Sequence, residues 1–247
     1  SGPTITNCII TNNKAANAGG ISCYSPGETS LVNCTITGNY AISLGGALCC
    51  QDEASAIITN SILWANEAFQ GPQICLSDNS SVSVEYCDVQ GGQTAVYDPL
   101  AAMVWGSGNM DAEPCFASFD VSGDPNTWDF HLQSAYGRWD PNSRGWVTDY
   151  ITSPCIDAGN PNSDWSGELW PNGKRINIGG YGGTNEASMN GNPGDFNIDG
   201  AVNFEDFCEL GSRWLLEGTF VEDLNYDGSV DFADLGMFAE NWLWHRQ

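Results

Sequence analysis

From residue 5 to residue 92 the chain alternates apolar and polar positions at strand spacing, and the alternation itself recurs. Anchored on Cys8, Cys34, Ser61 and Cys87, the recurrences fall 26, 27 and 26 residues apart. Three residues before each anchor stand Ile5, Leu31, Ile58 and Val84, and two after it stand Ile10, Ile36, Leu63 and Val89, all apolar. Asn7, Asn33, Asn60 and Tyr86 directly precede the anchors; Asn13, Asn39, Asn66 and Gly92 follow five residues later. A further column runs through Gly19, Gly45 and Gly71, then Cys23, Cys49 and Cys75, at a constant interval of 26. A period of roughly 20–50 residues is the mark of a solenoid or array. Asn or Gly sits where the chain must bend, because Asn tolerates the left-handed conformation a tight bend requires. Residues 1–105 are therefore expected to form stacked coils of short parallel strands about 4.8 Å apart. The strands should lie at 5–10, 31–36, 58–63 and 84–89, with the apolar and cysteine columns facing inward.

This pattern resembles the right-handed parallel β-helix family of secreted bacterial proteins, the pectate-lyase-like solenoids. The resemblance supplies the handedness and implies a mainly β fold. Within it, the cysteine columns read either as a ladder of small buried thiols or as partly bridged, with Cys50 out of column and exposed or paired.

Residues 106–190 show no period. They hold turn clusters such as Asp124-Pro125-Asn126 and, counting Trp105 at the edge, Trp128, Trp139, Trp146, Trp165 and Trp170. The stretch from Ser153 to Pro161, followed by Arg175 to Gly183, resembles the segment that closes β-helix repeats. A solenoid end exposes unpaired edges and apolar interior, so this region is expected to be a cap with the tryptophans as its core. A sugar-stacking platform is the alternative for them, and Cys115–Cys155 is a candidate disulfide.

Residues 191–247 open on a breaker-rich linker, Gly191-Asn192-Pro193-Gly194. Two 12-residue segments follow, 28 residues apart, each with alternating oxygen-bearing side chains around a central glycine. The first places Asp195, Asn197 and Asp199 at positions 1, 3 and 5, Gly200 at 6, Ala201 (through its carbonyl) at 7, Asn203 at 9 and Asp206 at 12. The second places Asp223, Asn225, Asp227, Gly228, Ser229, Asp231 and Asp234 in the same slots. Calcium takes six to eight oxygens, and the glycine permits the sharp turn that gathers them. Two calcium ions are expected, with Val202 and Val230 at position 8 pinning the loops together. Helical spacing follows each loop, pairing Phe204 with Phe232, Phe207 with Leu235, Leu210 with Phe238, Trp214 with Trp242 and Leu215 with Leu243.

Gly and Pro stand where an EF-hand would carry a first helix, and both position-12 residues are Asp. Loop then helix, duplicated, resembles the type I dockerin, which implies attachment of a secreted protein to a cohesin-like module. Positions 10 and 11 often set partner choice in that family. Here they are Phe204-Glu205 and Phe232-Ala233, so calcium carries over and the partner's identity does not.

Charge narrows the function. Acidic residues number 31 against 7 basic ones, a net charge of −24, which disfavours nucleic acid and anionic membranes and suits divalent cations or neutral partners. No apolar run approaches the roughly 20 residues of a membrane span, so no membrane insertion is expected. No signal peptide is evident, and the opening at Ser1 directly in repeat sequence fits a processed or trimmed chain. The expected location is extracellular or at the cell surface.

Catalysis finds little support. A lyase needs a basic residue beside metal-binding carboxylates, and the solenoid carries only Lys14. A glycoside hydrolase needs two carboxylates at a set distance, for which Asp52 and Asp78 are the nearest candidates. His131 and His245 have no nucleophile motif beside them. The reading is a non-catalytic structural or adhesive protein that partners a cohesin-like module or copies of itself end to end, with a neutral glycan as a further candidate ligand. The alternative is a polysaccharide lyase or glycoside hydrolase displayed through its dockerin. Three carboxylates or an Arg in one concave cleft would favour that alternative.

Overall fold

A computed structural model describes residues 2–24 and 26–245. Four coils wind into a solenoid whose strands stack into three main parallel sheets, with a short fourth one pairing Lys14–Ala15 with Tyr40–Ala41. The first sheet comprises Thr4–Thr6, Gly27–Val32, Ala54–Thr59, Ser81–Glu85 and Met103–Trp105; the second comprises Ile9–Thr11, Thr35–Thr37, Ile62–Trp64 and Asp88–Val89. Ile21–Tyr24, Leu48–Gln51, Ile74–Leu76 and Val96–Tyr97 form the third.

Two of the apolar columns stand in register. Ile5, Leu31, Ile58 and Val84 are directly stacked, as are Ile10, Ile36, Leu63 and Val89. Those of the inner coils are fully buried. The expected single strands at 5–10, 31–36, 58–63 and 84–89 are each broken in two by a corner. Asn7, Asn33, Asn60 and Tyr86 turn it with φ of 50°, 50°, 50° and 51°, a conformation that costs an L-residue about 1–2 kcal/mol and Asn least.

The Asn13 column needs a different account. Its left-handed residues come one position earlier, at Asn12, Gly38, Ala65 and Gly91. The asparagines themselves point inward as a stacked amide ladder. Asn39 Oδ1 accepts from the Asn13 backbone N–H at 3.1 Å, and Asn66 Oδ1 accepts from that of Asn39, also at 3.1 Å.

The cysteine column at a constant 26 is corrected by one residue. Ala41 pairs with Ala15, 26 positions earlier, but Leu48 pairs with Ile21, 27 earlier, so the second coil carries one extra residue between them. Cys23 consequently stacks on Cys50, and Cys49 stacks on Cys75. Cys50 is neither exposed nor out of line, and is fully buried in the core beside Cys23. All ten cysteines are free thiols.

Residues 116–190 do not lie across an end of the solenoid as a cap. They run along its side, over the outer face of the second sheet. The outward row there is Ile9, Thr35, Ile62 and Asp88. Gly180 N–H donates to Thr35 Oγ1 at 2.9 Å, and Cys155 Sγ donates to Asp88 Oδ2 at 3.2 Å, which replaces the candidate Cys115–Cys155 disulfide. Gly179 has φ 105°, and a Cβ there would stand 2.8 Å from Ile62 Cδ1, so only glycine allows the backbone to lie this close. The corner asparagines clamp the same segment: Asn7 and Asn33 both donate to the Gly182 carbonyl, and Asn60 Oδ1 accepts from Asn160 N–H at 2.7 Å.

The tryptophans are not the core of this cover. Trp139 and Trp146 meet edge to face on the hairpin Arg138–Asp140/Gly145–Val147, and Trp128 packs on Phe119. Trp170 alone among them is buried, and its partners lie beyond residue 190. There, helices α1 (Phe204–Ser212) and α2 (Phe232–Glu240) pack on a small core of Phe196, Val202, Leu210, Leu224, Val230 and Phe238. Among the described residues no helix is long and apolar enough to cross a membrane.

Candidate metal centre

The two acidic loops adopt the same backbone path, hydrogen bond for hydrogen bond. Asp195 at position 1 accepts from the N–H groups of Asp199 and Gly200, at 3.1 and 3.0 Å. Asp223 accepts from Asp227 and Gly228 at 3.2 and 2.9 Å. Position 4 is left-handed in both, Ile198 at φ 60° and Tyr226 at 57°, and so is position 6, Gly200 at 90° and Gly228 at 94°. At position 12, Asp206 Oδ1 accepts from Phe196 and Asn197 N–H, as Asp234 Oδ1 does from Leu224 and Asn225.

Positions 9 and 12 also start the helices. Asn203 caps α1 by accepting from Glu205 N–H at 2.7 Å, while Asp206 Oδ2 accepts from Asn203 N–H. Asp231 and Asp234 form the same reciprocal box on α2. Such a box satisfies two orphan donors of the first turn, and Asp at position 12 is short enough to serve it. One carboxylate thus ties each loop to its helix.

The loops concentrate carboxylates without cations. Asp195, Asp206, Asp223 and Asp234 are all buried, and among the described residues no Lys or Arg forms an ion pair with any loop acid. Burial pushes the Asp195 carboxyl up, whereas the Ser229 hydroxyl holds Asp227 below the usual carboxylate range. Among the described residues no three His, Cys, Asp or Glu side chains gather closely enough to hold a metal ion. The loop carboxylates are turned onto backbone N–H groups. By donor chemistry and order along the chain, the oxygens of Asp195, Asn197, Asp199, Ala201, Asn203 and Asp206, with their counterparts from Asp223 to Asp234, fit a hard cation that prefers oxygen.

Val202 and Val230 share one buried core, but their backbones pair elsewhere. Val202 N–H donates to the Trp244 carbonyl at 2.7 Å, and Val230 N–H to that of Leu216 at 3.1 Å. Each loop is therefore stitched to the chain leaving the other repeat's helix. The helices leave an apolar face uncovered: Phe204 is 66% and Phe232 77% exposed. A groove of about 330 Å³ runs between Phe204, Phe207, Leu235, Phe238, Ala239 and Trp242.

On the solenoid, Asp52 and Asp78 do come together. Both occupy left-handed turns on adjacent coils, where Glu53 N–H donates to the Asp78 carbonyl at 2.9 Å. With Pro26, Glu53 and Asn79 they line an open depression of about 410 Å³. Three carboxylates thus share one concavity, although all three are exposed and no Lys or Arg lines it. Asp52 raises the neighbouring Tyr24 phenol above its usual range by accepting a hydrogen bond. His131 is buried between Asp129 (2.5 Å) and Glu186 (3.4 Å), stacked on Tyr181, with no nucleophilic side chain among those contacts. His245 is exposed at the end of the described chain.

Residues missed in the sequence are Trp170, whose side chain belongs to the loop module, and the Asp88–Cys155 pair. No local pattern marks either. No curated protein and no solved structure matches this chain. Residues 1–101 match the family model described as the right handed beta helix region, so the four coils are similar to that family and form a parallel β-helix.

Proposed function

We propose that this is a non-catalytic, extracellular structural or adhesive protein whose β-helix is displayed through a calcium-loaded, dockerin-like module. The observation that carries the reading is the duplicated loop: two matching hydrogen-bond frameworks 28 residues apart, each carrying oxygen-bearing residues in calcium order along the chain. Bound calcium offsets the mutual repulsion of the loop carboxylates and fixes the loops under the helices. The exposed Phe204 and Phe232, at the positions that set partner choice in dockerins, give the module an apolar docking face. A cohesin-like module is the proposed partner, with copies of the same chain as the other candidate. The experiment is binding of the full chain to a panel of cohesin modules in calcium and in chelator. Calcium-dependent binding lost in Phe204→Ser/Phe232→Ser supports the reading; equal binding in chelator contradicts it. Light scattering of the same samples reports self-association.

The second reading, a polysaccharide lyase or glycoside hydrolase, rests on the Asp52, Glu53 and Asp78 depression. It meets the requirement of three carboxylates in one concavity. It lacks the basic residue a lyase uses, and its acids are all exposed, which does not provide the buried, proton-holding acid a hydrolase needs.

A further inference from the structure

The tandem loops are seated on the side cover of the β-helix by contacts made from the loops themselves. Trp170, 6% exposed, stacks on Phe196 at 6.4 Å, and Phe196 stacks in turn on Phe238 at 5.7 Å. Phe196 is position 2 of the first loop, and its carbonyl accepts from Lys174 Nζ at 3.3 Å. Tyr226 is position 4 of the second loop, and its hydroxyl donates to the Trp170 carbonyl at 2.9 Å. The indole N–H of Trp170 closes the circuit by donating to Pro193 O at 2.7 Å. One short stretch, 170–174, therefore touches the turn of both loops. Two residues upstream, Glu168 accepts from Gly183 N–H and Asn177 N–H, next to the Gly182 carbonyl that holds Asn7 and Asn33 of the solenoid.

We propose that the two loops and the side cover form one calcium-responsive unit, in which filling the loops clamps the module onto the β-helix through Trp170. This rests on the calcium reading above and departs from a freely tethered module. Positions 2 and 4 lie inside the turns that must close around an ion. Without a cation, the four acids within each loop, Asp195, Asp199, Glu205 and Asp206 in the first and Asp223, Asp227, Asp231 and Asp234 in the second, repel one another, and the loops open. Opening withdraws the Phe196 carbonyl from Lys174 and the Tyr226 hydroxyl from Trp170, and uncovers the indole. Coupling is reciprocal, so removing the Trp170 side chain weakens calcium binding.

The test is hydrogen exchange of the full chain in calcium and in chelator, with calorimetric calcium titration of the same samples. Exchange in peptides covering 168–176 should rise when calcium is removed, while the strands Thr35–Thr37 and Ile62–Trp64 stay protected. Trp170→Ala should bind calcium at least about ten-fold more weakly, with far-ultraviolet circular dichroism checking that the solenoid is intact. Tyr226→Phe keeps every ligand oxygen and should weaken binding about five-fold. If the wild-type chain binds calcium yet 168–176 exchanges identically with and without it, or Tyr226→Phe binds as tightly as wild type, the clamp is wrong and the calcium reading stands. If the wild-type chain takes up no calcium, both fail.

Discussion

Asn39 and Asn66 stand one coil apart inside the solenoid, with Asn39 Nδ2 donating to Asn66 Oδ1 at 3.0 Å. Asn39 also donates to the Ile10 and Thr37 carbonyls and accepts twice from Asn13. It is 1% exposed and its partners Thr37 and Asn66 are buried, so those groups have no water to fall back on. Asn39→Ala should destabilise the chain by about 3 kcal/mol in urea denaturation, because several buried groups lose their partners at once. Asn13→Ala, at the exposed end of the ladder, should cost less than about 1 kcal/mol. Equal costs at the two positions would mean the ladder does not act through burial.

Gly179 tests the side cover. A side chain there needs space that Ile62 Cδ1 and Thr35 Oγ1 already occupy, on a backbone at φ 105°. Gly179→Ala should cost about 2–4 kcal/mol and expose residues 155–183 to protease before the solenoid strands. A wild-type cleavage pattern in that variant would show that the cover does not depend on this close approach.

Acid should stabilise the protein where the cover meets the solenoid. Burial pushes the Asp88 carboxyl up to about 7, with Cys155 donating to it and Asp111 and Glu113 facing it. Burial also pushes Glu168 up to about 7, with Asp157 nearby. The folded pKa values lie above the unfolded ones, so this stabilisation is complete below about pH 4 and is lost as pH rises through 7. The two groups together should make the chain a few kcal/mol more stable at pH 5 than at pH 8, at fixed calcium. Asp88→Asn and Glu168→Gln should flatten that slope; an unchanged slope in the double variant would assign it to other groups.

The proposed lack of catalysis is open to a direct assay. Incubation with neutral and acidic polysaccharides should release no reducing or unsaturated ends. Reproducible product formation that disappears in Asp52→Ala would establish the enzymatic reading instead.

The solenoid was legible wherever an inward residue repeats in register, as at Leu31, Ile58 and Val84, because burial imposes the same choice on every coil. The third sheet departs from the constant interval because one extra residue in the second coil slips the register, and the adjacent Cys49 and Cys50 let either position satisfy the column. Where the cover lies left no local trace: Asn7 and Gly182, which hold it, are 175 residues apart. Trp170 was equally hidden, since its chain neighbours lie in the cover while its side chain packs with the loops. The repeated loop framework could be read residue by residue because its hydrogen bonds are local. Their attachment to the rest of the protein is not.

Calorimetric titration of the chelator-stripped full chain decides whether both loops bind calcium. The wild-type chain should take up two calcium ions, Asp199→Ala should lose the first site and Asp227→Ala the second, and stripping should melt α1 and α2. No heat of binding at millimolar calcium, with helical circular dichroism unchanged by chelator, would mean that the loops hold no calcium.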